Sequence, residues 1–235
     1  MFFSFFEGFK FIRSNSFYNR NIDYKLDDFN PIFGVIQPYG LATPNRRGIS
    51  SKFTLSDSSK IILLSSEISF LNDLVGEGIS SKRNYSEYSL SLDFHLNRLL
   101  NFDKKILFKG GFSNSTSKRE HPEILNVQNI DLSCRVADLG LEFQIINNLS
   151  ILASHKRLMS KGLDYLPIRN EDFSIESFNA FNCDLVHEIN SFGIAFDFSK
   201  KSSVLLNYQI LNFKDNLLAS EYVVNQFFVL VQIKF

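Results

Sequence analysis

Within the run from Tyr85 to Asn97 apolar and polar residues alternate from Glu87 onward: Tyr88, Leu90, Leu92, Phe94 and Leu96 fall on one side, and Glu87, Ser89, Ser91, Asp93, His95 and Asn97 on the other. A period of two cannot be buried by a helix and predicts an extended strand. Globular strands are usually about 5–6 residues long, whereas a tilted strand crossing a bilayer needs about 9–11, and this run reaches the longer class. After a connection at 98–103, Ile106, Phe108 and Phe112 share a face with Gly110, so 85–97 and 104–113 read as a hairpin.

The pattern recurs to the end of the chain. Ile130, Leu132, Cys134 and Val136 alternate with Asp131, Ser133 and Arg135, and Leu139, Leu141, Phe143 and Ile145 continue in the opposite phase. That switch predicts a bulge or break near Ala137-Asp138. Asn147-Asn148 predicts a tight turn into 149–156, because Asn tolerates the left-handed backbone of two-residue hairpins. Strands follow over 184–199 (Phe192, Ile194, Phe196, Phe198) and 204–211 (Val204, Leu206, Tyr208, Ile210), with a turn at 200–202 between them. The last strand sets Phe227, Val229, Val231, Ile233 and Phe235 against Gln226, Phe228, Leu230, Gln232 and Lys234. In the first half, 52–56 and 60–70 read as strands around 57–59, while Pro31 and Pro38 demote 30–40 to an edge or a loop. Phe3, Phe5, Phe9 and Phe11 also alternate.

The connections have an order. Short ones at 98–103, 147–148 and 200–202 interleave with longer polar ones at 114–126, 159–177 and 214–220. Transmembrane barrels place short turns on the periplasmic side and long loops outside, and this order matches. The expected fold is therefore all-β, one domain over 1–235: an antiparallel up-and-down transmembrane β-barrel of about 10–12 strands, or the C-terminal part of a larger one. The competing architecture is a soluble β-sandwich or calycin-like ligand-binding protein, with the same alternation turned outside in.

Composition narrows the classes. Hydrophobic residues make up 44% of the chain, yet no apolar run approaches the roughly 20 residues of a spanning helix. Twenty-five basic and twenty-five acidic residues cancel, which gives no global reason to expect nucleic acid. Phe occurs 26 times and Trp not at all, an excess that suits strands with an outward apolar face. Cys134 and Cys183 are too few for a metal site and read first as free thiols, with a disulfide in an oxidising compartment as the alternative. The N-terminal residues lack the order of a secretory signal, since Glu7 and Lys10 interrupt the apolar stretch. The expectation is a reading frame that lacks the beginning of a longer exported chain.

Candidate chemistry is sparse. Glu87, Asp93 and His95 share a face with Ser89 and Ser91, but residues two apart on one face lie about 7 Å from each other, too far for a Ser-His-acid relay along the strand. No G-x-S-x-G elbow, H-E-x-x-H helix or P-loop occurs, and His121, His155 and His187 are scattered. The sequence thus predicts no catalytic residue, no metal and no cofactor. Glu87, Asp93, His95, Lys109, Arg135 and Gln209, with Lys156, are expected to line a polar lumen. Lys156, Arg157, Lys161 and Arg169 make the segment 156–170 a basic surface, read first as a solvated loop and otherwise as a contact for lipopolysaccharide phosphates.

The terminal strand, with Phe227, Val229, Val231, Ile233 and the final Phe235, resembles the β-signal of bacterial outer-membrane β-barrels. Together with 156–170 (KRLMSKGLDYLPIRN), it resembles the C-terminal barrel portion of uncharacterised outer-membrane proteins of the Bacteroidetes. That resemblance implies a Gram-negative outer membrane as the location. Its implied partners are outer-membrane lipid, the barrel assembly machinery and other envelope proteins, without nucleic acid. It implies a porin-like channel or an envelope scaffold rather than an enzyme, with an outer-membrane hydrolase as a further alternative.

Overall fold

The computed structural model describes residues 9–13, 46–75, 82–119, 129–171, 175–199 and 202–233. They form ten strands: β1 (Phe9–Arg13), β2 (Arg46–Ser56), β3 (Ile62–Asp73), β4 (Asn84–His95), β5 (Ile106–Arg119), β6 (Ile130–Ile146), β7 (Leu149–Arg169), β8 (Ile175–Ser199), β9 (Ser202–Asp215) and β10 (Ser220–Ile233). One helical turn, α1 (Leu96–Leu99), follows β4. The strands lie side by side in chain order, every neighbouring pair antiparallel, so the sheet is an up-and-down meander. Among the described residues no ladder joins β1 to β10, and these two strands are its edges.

Tight connections gather at one end of the sheet. Asp57 closes the β2–β3 turn by accepting from the Ile62 amide at 3.0 Å through Oδ1, while Lys60 takes the left-handed conformation (φ 51°). Arg98 in α1 donates from Nη1 to the Lys60 carbonyl at 2.7 Å, tying the β4–β5 connection to that hairpin. Asn147-Asn148 turns β6 into β7, and the Asn147 carbonyl accepts from Gln144 Nε2 at 2.8 Å.

Three expected loops are shorter than the sequence implied. Residues 114–119 continue β5, and 159–169 and 175–177 belong to β7 and β8, which run 21 and 25 residues as one long hairpin. At 214–220 only 216–219 lie outside strands; Asp215 Oδ1 accepts from the amides of Leu217 and Leu218 at 2.9 and 3.1 Å, an Asx-type closure. Hydrogen bonding to neighbouring strands overrides the polar composition of these segments.

Paired residues in an antiparallel ladder share a face, so register fixes which side chains lie together. Ile62, Phe94, Phe108, Leu141, Ala153, Phe192, Tyr208 and Phe227 follow one another directly from β3 to β10. One row nearer the tight turns come Ile106, Phe143, Ile151, Ile194, Leu206 and Val229. Most of these side chains are exposed. The face they define is the outer one.

The opposite face is concave. Arg83, just before β4, reaches Asp164 on β7 across β5 and β6, which side chains standing perpendicular to a flat sheet could not do. Toward the turns this inner face is polar, holding Asp93, Lys109, Ser154, Ser191, Gln209 and Gln226 in one row. Toward the other end Cys134, Leu158, Ile189, Leu211 and Phe213 pack as a buried cluster with Val136 and Leu185 against it.

This inversion explains the change of phase in β6. No bulge occurs at Ala137-Asp138: register with β5 and β7 is unbroken from Asp131 to Gln144. The strand is continuous and its surroundings change. Ile130, Leu132, Cys134 and Val136 face inward, while Leu139, Leu141 and Phe143 face outward. The breaks in register fall instead at Gln144/Ile146, Ile168/Arg169 and Asp197/Ser199.

Candidate functional site

The outer face presents an apolar belt whose edge slopes from β3 to β7 and then stays nearly level through β8, β9 and β10. The last large apolar outer residue before polar ones begin is Phe70 on β3 (then Asn72), Tyr88 on β4 (then Ser86) and Phe112 on β5 (then Asn114). On β6 it is Leu139, with Ala137 and Arg135 beyond; on β7 Ala153 precedes His155, and on β8 Phe192 precedes Asn190. From β3 to β7 the edge drops two residues per strand. Register from Phe192 leads back through Ala153, Leu141, Phe108 and Phe94 to Ile62, eight residues from Phe70.

Those eight residues span about 26 Å along the strands, against about 19 Å for the four strand spacings from β3 to β7, a local slope of roughly 55° that levels off between β7 and β8. A boundary fixed by a flat solvent interface must look slanted when read against strands that tilt. Strands of transmembrane barrels tilt by about 35–45°, also a marked slant though less steep than this local slope.

The size of the belt matters as much as its slope. Monomers in water rarely expose contiguous apolar patches beyond a few hundred Å². Phe108, Leu141, Phe192, Tyr208 and Phe227 are 37–64% exposed and lie in one row across the sheet, with only the small Ala153 between Leu141 and Phe192. At about 150–250 Å² per large side chain, two such rows present roughly 1,000 Å². Beyond the edge the outer face carries Arg135, the Arg157–Glu188 pair (3.3 Å) and the Lys161–Asp184 pair (3.2 Å), with Met159 beside Val186 as an apolar exception. The segment 156–170 is thus a strand with ion pairs on its outer side, and Lys156 faces inward opposite Asp138.

Among the expected lumen residues, Glu87, Asp93, His95, Lys109 and Gln209 lie on the inner face. Asp93 stands directly opposite Lys109, and Gln209 accepts from Gln226 Nε2 at 2.6 Å. Arg135 does not join them. It lies on the outer face, where its Nε donates to Asn114 Oδ1 at 3.2 Å, because β6 keeps one register through the expected break. Phe227, Val229 and Val231 point outward and are exposed; Ile233 pairs with Ser202 in the β9–β10 ladder, and Phe235 lies outside the described residues.

Two features escaped the sequence. One is a layer of buried charge on the inner face away from the turns, made of Asp73, Arg83, Arg119 and Asp164. Arg83 Nη1 reaches both Asp164 oxygens, at 2.9 and 3.0 Å. The charged residues on either side of each strand gave no sign that these four share a face. The other is a pair of separate buried hydrogen bonds between polar side chains of neighbouring strands: Ser69 Oγ donates to Ser50 Oγ at 2.9 Å, and Ser191 Oγ to Asn207 Oδ1 at 2.8 Å. The histidines have structural neighbours, His155 Nδ1 lying 2.9 Å from Asn190 Oδ1 and the His187 ring meeting Phe213 edge-on at 4.9 Å. Among the described residues no group of His, Cys, Asp and Glu is arranged to hold a metal ion.

No family model and no curated protein matches the chain. Among solved structures, OmpTdeltaL8, a loop L8 deletion mutant of OmpT described as an outer membrane protein of Vibrio cholerae, is similar at 10% identity and a TM-score of 0.48. The likeness covers 97% of this chain and 75% of that one. At this level it bears on no individual residue.

Proposed function

We propose that this chain is a non-enzymatic β-barrel of a Gram-negative outer membrane, an envelope scaffold whose interior is packed on the side away from the tight turns. The sloping edge of the apolar belt carries this reading. A soluble sandwich has no reason to expose so many adjacent aromatic and aliphatic side chains, or to end them along a line that follows strand tilt. Outer-membrane lipid solvates the belt, and the barrel assembly machinery reads the last strand through Phe227, Val229, Val231, Ile233 and Phe235. The scaffold role is favoured over an open pore by the buried cluster around Leu158 and the charged layer of Arg83, Asp164, Asp73 and Arg119, which leave little room for water at that end.

Membrane fractionation after expression with an export signal tests the proposal. The protein should stay with the outer membrane through a urea wash, require detergent for extraction, and migrate differently in gels before and after boiling. Recovery as a soluble monomer without detergent would overturn it. A porin-like channel is the second reading, favoured by the polar inner row Asp93, Lys109, Ser154, Ser191 and Gln209 near the turns. Stable single-channel steps from the purified protein in planar bilayers would select it.

A further inference from the structure

Where the belt edge is highest, on β3 and β4, the outer face holds a cleft of about 400 Å³ that extends to β5. Its floor begins at Phe70, the last apolar outer residue of β3 and 60% exposed. Above Phe70 stand the amides of Asn72 and Asn84, directly opposite each other across the β3–β4 ladder. Lys82 and Lys118 line the cleft, both exposed, and Lys118 stands directly opposite Asn84. The hydroxyls of Ser86 and Thr116 close its wall by bonding each other at 2.6 Å. Lys118 also lies 3.5 Å from Asp131, a pair more than half exposed on both sides and too well solvated to hold the ammonium away from a ligand.

We propose that this cleft binds the phosphorylated sugar head group of an outer-leaflet glycolipid. The inference rests on the membrane reading, since it places the cleft where the belt meets water on the side away from the tight turns. Each part of such a lipid has a chemical counterpart. Two ammonium groups suit a phosphomonoester, because charge-assisted hydrogen bonds to phosphate oxygens are the strongest available here. Facing amides can donate to and accept from sugar hydroxyls. The exposed ring of Phe70 offers an apolar plane to a pyranose, and the acyl chains continue downward over Ile68, Tyr88 and Leu90, all exposed on the same face. A free anion would use the lysines and leave the ring and the belt without a role.

The test is native mass spectrometry of the full chain in detergent with added diphosphoryl lipid A, phosphatidic acid or phosphatidylcholine. Retention of one lipid A per chain is expected, at least tenfold weaker in the K82Q/K118Q variant and unchanged in K214Q, whose lysine lies on the outer face of β9. Inorganic phosphate should not displace the lipid. Equal retention by K82Q/K118Q, equal retention of either phospholipid, or displacement by phosphate alone would overturn the site. A chain that folds and stays in membranes yet shows no preference among lipids refutes this site only. A chain soluble without detergent refutes the membrane reading itself.

Discussion

Arg83 and Asp164 meet across two intervening strands, with Nη1 2.9 Å from one carboxylate oxygen and 3.0 Å from the other and both side chains about nine-tenths buried. The pair couples the residue preceding β4 to the last third of β7 and fixes the curl of the sheet at its far end. Removing one partner leaves the other's charge buried. Arg83→Ala and Asp164→Ala should each cost about 3–5 kcal/mol in urea unfolding from lipid vesicles, with the double variant losing less than the sum of the two. Additive losses would mean that the pair is not coupled.

The slope of the belt makes residues in one register row unequal. Leu90, Phe112, Ala137, Arg157 and Glu188 lie in a single row, yet Leu90 is inside the belt and Glu188 beyond it. Leu90→Arg should weaken membrane folding by about 2–4 kcal/mol, while Ala137→Arg costs at most about 1 kcal/mol. Equal effects at both positions would remove the tilt.

Gly162 has φ +131°, a conformation L-residues seldom adopt, and a β-carbon there would run into the Asp131 carbonyl of the adjacent strand. Gly162→Ala should destabilise by about 1–3 kcal/mol. Gly110→Ala is the matched control, since its new methyl meets only Leu139 Cδ2 at 3.6 Å. Urea midpoints of the two variants should differ clearly.

Cys134 and Cys183 are free and buried on the inner face, with Ser160 Oγ 3.6 Å from Cys183 Sγ. An aromatic disulfide reagent should leave both thiols untouched in the folded protein and titrate two per chain after denaturation. Fast reaction in the native state would mean that water reaches the inner face there, and would favour the channel reading.

Strand existence and the pairing of side chains on faces were legible from residues alone. Leu90, Leu92 and Phe94 must share a side because the pleat alternates every residue, whatever the rest of the chain does. The terminal alternation from Phe227 to Val231 was equally plain. Loops at 114–126 and 159–177 were overestimated, because polar composition marks what faces water and says nothing of whether the backbone finds a neighbouring strand.

Alternation by itself determined that this chain is a set of long antiparallel ribbons, each with an apolar and a polar side. It could not say which side turns inward, since the pleat is symmetric in that respect. Arg135 fell on the unexpected face for this reason: the same strand is apolar inside near Cys134 and apolar outside near Leu141, and only its unbroken register to β5 and β7 reveals the exchange. The level of Phe70 relative to Phe192, the meeting of Arg83 with Asp164, and the cleft between Lys82 and Lys118 likewise depend on how far each ribbon slides along its neighbour. That offset is set by hydrogen bonds between residues distant in sequence, and only the assembled sheet decides it.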